Sequence, residues 1–266
     1  MIDFFGMVRA ALLASDPDQK VSLTRQTIGK LNAFKKEHIK DSFGIPVDVY
    51  SPGRPAKPEL VLAGQVPKRA MGTLEGRKTM MHAIAHIEFN AINLALDAVQ
   101  RFANMPLEFY ADWMRVASEE AYHFELVRAH LRHLGGEYGD YPAHNGLWEM
   151  AETTAHDVLD RMALVPRVLE ARGLDVTPGI QKKFINVGDV HAATLLDIIF
   201  KDEIGHVDIG SRWFRYECKQ RQVKPTETFF ALIEKYFPKG VGGVLNLAAR
   251  EQAGFSDAEL KILLAE

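Results

Sequence analysis

Apolar side chains recur every three or four residues along most of the chain, which is the spacing of one face of an α-helix. The clearest stretch runs from about 77 to 103, where Met81, Ile84, Ala85 and Ile92 share a face. The alternation of apolar and polar residues that is typical of strands is rare. The pattern therefore predicts an all-α protein.

Two further long helices are predicted from residues that start or break helices. One is predicted to begin near Pro106, whose missing N–H is tolerated in the first turn, and to end at Gly135-Gly136. The next begins after Asn145, a good N-cap residue. It is expected to break within RGLDVTPG, residues 172 to 179, because glycine and proline disfavour a helix interior.

A fourth helix is predicted from about 189 to 222, and it reveals an internal repeat. Residues 102 to 123, FANMPLEFYADWMRVASEEAYH, align with residues 184 to 206, FINVGDVHAATLLDIIFKDEIGH, with one residue inserted. Each copy opens with Phe and with Asn close to a Pro or Gly, and each closes with Glu-x-x-His. Two similar helical hairpins predict a four-helix bundle at residues 73 to 222.

Two smaller regions flank the predicted bundle. Residues 1 to 72 are expected to contain two helices and then a proline-rich, extended arm at 45 to 70 that lies over the main domain. Residues 223 to 266 are expected to form a tail of two or three short helices, in which Ser256 and Glu259 make a capping box. The predicted organisation is thus an N-terminal region, a four-helix domain and a tail.

Composition narrows the classes of function. Apolar residues make up 47% of the 266 residues, enough for a sizeable core, and the formal net charge of −3 gives no general attraction to nucleic acids or anionic membranes. Cys218 is the sole cysteine, which excludes a disulfide framework or a thiolate cluster within one chain. The amphipathic start and the lack of a run of about eighteen apolar residues predict a cytoplasmic protein with no membrane partner.

Two Glu-x-x-His motifs carry the candidate chemistry. Glu120 with His123, and Glu203 with His206, each place an oxygen and a nitrogen ligand on one helical face. The motif alone is weak, and its ordinary interpretation is a solvated glutamate beside a packed histidine. Both pairs interrupt apolar stripes, where an uncompensated carboxylate costs several kcal/mol or has its pKa raised. A bound metal ion compensates such a carboxylate.

Counting residues from the first predicted turn leads to Glu88. Residues equally distant from the turn of an antiparallel hairpin lie side by side, and Glu120 is sixteen residues after Asn104. Sixteen residues before Asn104 is Glu88, whose neighbours on its helical face are apolar. Glu88 is therefore predicted to lie beside Glu120.

The same count in the second hairpin leads close to Glu170. This count starts at Glu203 and goes back around the turn at Gly188. The break expected at residues 172 to 179 makes the conversion of residue count into distance less reliable. Glu149 and Glu152 are rivals, but they lie about twenty residues further from the turn, roughly 30 Å along a helix. Glu170 is therefore the preferred fourth carboxylate.

Four glutamates and two histidines make up the predicted ligand set. They are Glu88, Glu120, His123, Glu170, Glu203 and His206. This is the composition of dinuclear iron and manganese sites in four-helix bundles. Two divalent ions balance the charge of four carboxylates, and an oxygen-rich set with two imidazoles favours iron, or else manganese, over zinc.

The chain also resembles the ferritin-like superfamily, and within it a bacterial family that is catalogued as a domain of unknown function. The resemblance extends over most of the chain, through HAIAHIEFNAINLALDA, SEEAYHF, RMALVPRVLEARGLDVTPG, KDEIGHV and NLAAREQAGFS. The chain is more distantly similar to the bacterial tRNA hydroxylase of that superfamily, which acts on a hypermodified adenosine. The resemblance implies a dinuclear metal centre at the six residues above and oxygen or peroxide chemistry there, but it implies no substrate.

The leading functional hypothesis is an oxidoreductase whose two metal ions react with dioxygen or peroxide, either to hydroxylate an unidentified substrate or to remove peroxide as rubrerythrin-like proteins do. Iron storage is an alternative, but the arm and the tail would encumber a closed shell. A helical interaction module without redox chemistry is another. Nucleic acid is not an expected partner of an acidic chain, although tRNA is kept as an alternative partner. A homodimer is a further alternative.

Overall fold

The computed structural model describes residues 3–31, 51–67 and 69–265. Helices dominate these residues, and no strand of several residues occurs among them, so the all-α prediction is confirmed. The chain divides into two compact units, Met1–Glu149 and Met150–Glu266. None of the helices in the described ranges combines the length and the apolar character that crossing a bilayer requires.

The first unit is built on a long antiparallel hairpin of two helices. Its helices within the described ranges are α1 (Phe4–Leu13), α2 (Pro17–Gly29), α3 (Leu74–Arg101) and α4 (Leu107–His133). Helix α3 begins after Thr73, whose hydroxyl accepts a hydrogen bond from the backbone N–H of Gly76. Between α3 and α4, Asn104 has a φ of 64°, a left-handed conformation that asparagine tolerates better than most residues. The sequence predicted both helices to within a few residues.

The described part of the proline-rich arm lies against its own unit. A parallel bridge joins Leu60 to Ala143, in the loop that follows α4. Closer to the start of the arm, the N–H of Gly53 donates to the carbonyl of Leu12 at 2.9 Å, near the end of α1. The predictions made for residues 32–50, the end of the second helix and the start of the arm, lie outside the described residues.

Lys20 on α2 is a fully buried amine. Its Nζ donates to the carbonyls of Ala11 and Leu12, at 2.9 Å and 2.7 Å. These carbonyls belong to the last turn of α1, where they also accept from the backbone N–H groups of Ala14 and Gly53. Burial lowers the pKa of Lys20 to about 7. A neutral amine keeps two N–H donors, so both hydrogen bonds survive the loss of the proton.

The stability of the protein is expected to depend on pH through Lys20. Its pKa is about 7 in the folded protein against an ordinary value of 10.5, so between these values the unfolded chain binds the extra proton. The free energy of unfolding should then rise with pH between these two values, by up to about 1.4 kcal/mol per pH unit. This gain in stability is complete above pH 10.5 and is lost as the pH falls to about 7. In urea unfolding followed from about pH 7 to about pH 9, Lys20→Met should show a shallower rise than wild type. Equal slopes would refute this assignment.

The second unit contains a second long hairpin and the tail. Its helices within the described ranges are α5 (Gly146–Thr153), α6 (Val158–Leu164), α7 (Ala171–Asn186), α8 (Val190–Gln220), α9 (Pro225–Tyr236), α10 (Leu247–Gln252) and α11 (Asp257–Leu263). The division between the two units falls within α5. A π-helical turn, Val165–Glu170, joins α6 to α7 without a break. Gly188, with a φ of 80°, makes the turn between α7 and α8. Ser256 and Glu259 form the predicted capping box of α11.

The predicted break at 172 to 179 is wrong, because α7 continues through Pro178. Proline has no N–H to donate to the carbonyl four residues earlier, which is that of Leu174. In the structure Asn246 Nδ2 donates to this carbonyl at 3.2 Å. The tail thus supplies the hydrogen bond that the helix lacks. The interruption of the third predicted helix lies instead after Thr153, and a new helix starts at the N-cap Asp157.

Candidate metal centre

The hairpin of α3 and α4 brings three predicted ligands together. His123 Nδ1 lies 3.4 Å from Glu88 Oε2 and 3.4 Å from Glu120 Oε2. One ligand atom from each of the three side chains lies within 4.8 Å of the other two. Glu88 is 4% exposed, and Glu120 and His123 are 0% exposed. Two carboxylates and one imidazole in this arrangement can hold a metal ion.

The surroundings of these three ligands are apolar. On α4, Trp113, Val116, Ala117 and Phe124 share the face of Glu120, and each of the four is at most 2% exposed. Electrostatic interactions are stronger in such a medium than in water, so both the repulsion between two carboxylates and their attraction to a cation increase. The glutamates of the first hairpin therefore lie where a positive charge is needed.

In the metal-free protein this positive charge is a proton on His123. Burial acts to lower the pKa of His123, but the hydrogen bonds and charges of Glu120 and Glu88 outweigh it and raise the pKa to about 11. The imidazole is therefore protonated at neutral pH. A divalent ion bound at this site would take the place of this proton, because an imidazole nitrogen must be deprotonated to coordinate a metal.

The other three predicted ligands lie in the second unit. On α8, His206 Nδ1 is 3.7 Å from Glu203 Oε1, and the two side chains are 1% and 14% exposed. Glu170 is half-buried at the end of the π-helical turn. The rival glutamates of α5, Glu149 and Glu152, are both exposed. Glu170 is therefore the least exposed of the three glutamates, and its role as a ligand stays a prediction.

Gly210 explains how the turn that carries Glu170 approaches α8. A Cβ atom at Gly210 would lie 2.3 Å from both Cβ and Cγ of Pro166, so the turn and α8 pack with no room for a side chain. Glu170 is one helical turn beyond Pro166, and His206 is one turn before Gly210. Because α7 and α8 are antiparallel, these steps run in the same direction. By this count Glu170 is expected at the level of His206 within the second unit.

Two other histidines near Glu88 on α3 have packing roles. His82 Nε2 accepts a hydrogen bond from the N–H of Gly139 at 2.9 Å, and His86 Nδ1 lies 3.0 Å from the hydroxyl of Tyr138. Burial lowers the pKa of each histidine to about 4, so both are neutral. They attach α3 to the loop after α4, which agrees with their positions off the helical face of Glu88.

The sequence reasoning missed two buried arginines of the second unit. Arg161 and Arg167 are each 1% exposed. Arg161 Nε donates to Thr154 Oγ1 at 2.8 Å, and Arg167 Nη2 donates to Glu259 Oε1 at 2.8 Å. Their position inside the apolar run RMALVPRVLE was the available signal, because an arginine in a core stripe needs a buried acceptor.

Comparison with known proteins shows the family. A family model described as "Protein of unknown function (DUF455)" matches residues 13–261. The chain belongs to the DUF455 family. A protein of Haemophilus influenzae described as "Uncharacterized protein" is 46% identical over 268 residues, which cover 97% of this chain and 92% of that protein. No solved structure matches this DUF455 chain. The predicted membership of a family of unknown function is confirmed, and the matched residues include all six predicted ligands.

Proposed function

We propose that the predicted ligands of the first and second units together hold two divalent metal ions. We further propose that the protein is an oxidoreductase acting on dioxygen or peroxide. The proposed ligands are Glu88, Glu120, His123, Glu170, Glu203 and His206. In this proposal the two long hairpins form one ferritin-like four-helix bundle, and the ions bind near the middle of its length.

One observation carries the proposal: a buried histidine lies 3.4 Å from each of two buried glutamates that come from different helices. A lone buried carboxylate is costly, and two that share one imidazole are more so, unless a cation offsets their charge. Packing alone does not require this arrangement, since apolar residues of similar volume would fill the same space at lower cost.

The internal repeat supports extending the centre to the second unit. The hairpin of α7 and α8 has a left-handed residue at its turn, as the hairpin of α3 and α4 does. It also presents a Glu-x-x-His pair, Glu203 and His206, on its second helix. In this proposal Glu170, at the end of the π-helical turn that leads into α7, is the counterpart of Glu88. Each hairpin thus offers two carboxylates and one imidazole, half of the set that dinuclear bundles use.

The donor atoms indicate the metal and the class of chemistry. Carboxylate oxygens with two imidazole nitrogens and no thiolate suit iron or manganese. Bound iron supplies electrons for the reduction of dioxygen or peroxide. The protein side chains bind and orient the ions, release the proton of His123 when metal is taken up, and exclude water through the apolar face of α4.

Metal analysis coupled to oxygen uptake tests the proposed function. After anaerobic loading with ferrous iron and removal of excess, we expect about two iron atoms per chain, and oxygen consumption when air is admitted. Glu152→Gln is the matched control, because it changes an exposed glutamate of α5, and it should leave both results unchanged. Protein that retains no iron, or that retains iron and consumes no oxygen, would contradict the proposal.

A further inference from the structure

A cavity of about 180 Å³ lies within the second unit, between the π-helical turn and the tail. Most of its wall is aliphatic or aromatic. The apolar wall includes Val168, Leu169, Ile233, Phe237, Val241 and Leu263. Three arginines, Arg167, Arg172 and Arg250, complete the lining. An apolar cavity with guanidinium groups at one side is suited to a molecule that has a charged end and an apolar end.

Arg167 is buried without a full set of hydrogen-bond acceptors. Its guanidinium carbon lies 4.1 Å from the ring centre of Phe229 and 4.6 Å from that of Phe255. Nη2 donates to Glu259 and Nε donates to Ser211. Among the residues that the structure describes, Nη1 has no hydrogen-bond acceptor. The aromatic faces offset part of the charge, but a buried N–H group of a cation favours an oxygen acceptor.

Among the described residues, the arginines that line the cavity outnumber their carboxylate partners by one. Arg250 Nη2 lies 2.8 Å from Asp175 Oδ2, and Arg172 Nη1 lies 3.6 Å from the same oxygen. Arg167 is paired with Glu259 at 2.8 Å. Three guanidinium groups therefore face two carboxylates, so a ligand with one negative charge would neutralise the cluster.

We propose that this cavity binds a small carboxylic acid with an unbranched apolar chain. The carboxylate lies against the arginine side chains, because a guanidinium group can donate two parallel hydrogen bonds to its two oxygens, and the chain lies along the apolar wall. A phosphate is less suitable, because its second charge exceeds the excess and the apolar wall offers few further donors. An apolar cavity of about 150 Å³ holds one benzene molecule, so a chain of roughly six to eight carbons fits here.

Calorimetric titration with a series of straight-chain acids, from butanoate to octanoate, tests the proposal. Affinity should rise about fourfold for each added methylene, because each one buries further apolar surface. Hexanol and octanol, which have the same chains and no charge, should bind at least about tenfold more weakly than the matching acids. Carboxylates also bind metal ions, so the titrations are made on the protein as purified and after chelation, and the two affinities should agree.

Two variants locate the binding site. Arg172→Gln removes a charge from a side chain that is 43% exposed, so the fold should survive, and it should weaken octanoate binding by about tenfold. Lys239→Gln removes an exposed charge from a residue outside the cavity lining, and it should leave the affinity unchanged. The proposal is overturned by the absence of saturable binding, by equal affinity for acid and alcohol, or by equal effects of the two variants.

Discussion

If the proposed centre holds two metal ions, His206→Ala is expected to remove both of them rather than one. In a dinuclear site the carboxylates are shared, so the loss of one ion leaves charged glutamates that the remaining ion cannot balance. Changes to groups that only support metal ligands weaken binding about 10- to 100-fold, and loss of a ligand should exceed that. Iron bound per chain should therefore fall from about two to nearly none, and His123→Ala, in the other hairpin, should do the same.

A histidine outside the proposed centre provides the matched control. His191 is exposed and lies on α8, the helix that also carries His206, and His191→Ala should keep the full iron content. Thermal unfolding provides a second readout, because bound metal stabilises the folded state by mass action. Ferrous iron should raise the melting temperature of wild type and of His191→Ala but not that of His206→Ala. Loss of a single ion in each of the two ligand variants would instead indicate two independent sites.

Gly210→Ala is expected to destabilise the protein and to weaken metal binding together. The added Cβ would meet Pro166 Cβ and Cγ at 2.3 Å, and neither of these ring atoms can rotate away. Insertion of a methyl group into such a packed contact typically costs about 1 to 3 kcal/mol. Relief of the overlap must move the π-helical turn away from α8, and Glu170 moves with this turn. Chemical denaturation and iron titration of the same samples measure both effects.

Gly205→Ala on the same helix is the control for this substitution. A Cβ at Gly205 meets nothing within 4 Å, so the change only exchanges a flexible residue for a better helix former. It should stabilise the protein by about 0.5 to 1 kcal/mol. Equal stability changes in the two variants, of either sign, would show that the contact between Gly210 and Pro166 does not determine the position of the turn.

The first hairpin could be predicted from sequence because the signals that define it, helical periodicity and a turn residue, lie within the hairpin itself. Helices α3 and α4 show continuous helical periodicity, and the turn at Asn104 fixes where they meet. Since both helices are unbroken, equal residue counts from the turn become equal distances. Glu88 was predicted from Glu120 in this way, and the structure brings both within 3.4 Å of His123.

The second hairpin was predicted less well because its irregular features depend on distant residues. Pro178 stays within α7 because Asn246, far along the chain, bonds the carbonyl of Leu174. Local reasoning counts only the bond that proline removes. The π-helical turn before Ala171 also changes how residue number converts to distance along the helix, and Pro166 in this turn packs closely against Gly210. No periodic pattern in the sequence predicts the contact of Asn246 with Leu174 or that of Gly210 with Pro166.

The cavity and the buried arginines were not predicted for a related reason. The partners of Arg167 are Ser211, Glu259 and three phenylalanines, which are spread over three helices and a loop of the second unit. Sequence shows that an arginine interrupts an apolar stripe, but it does not show which acceptors lie opposite. The division of the chain into regions 1–72, 73–222 and 223–266 and the cytoplasmic location stay predictions.

Mössbauer spectroscopy of protein loaded with isotopically enriched iron and then oxidised by air tests most directly whether one centre holds two ions. If the six side chains share a pair of ions through bridging carboxylates, the two ferric ions will be spin-coupled and the ground state at low temperature will be diamagnetic. Isolated ferric ions with the magnetic splitting of uncoupled iron would contradict the account.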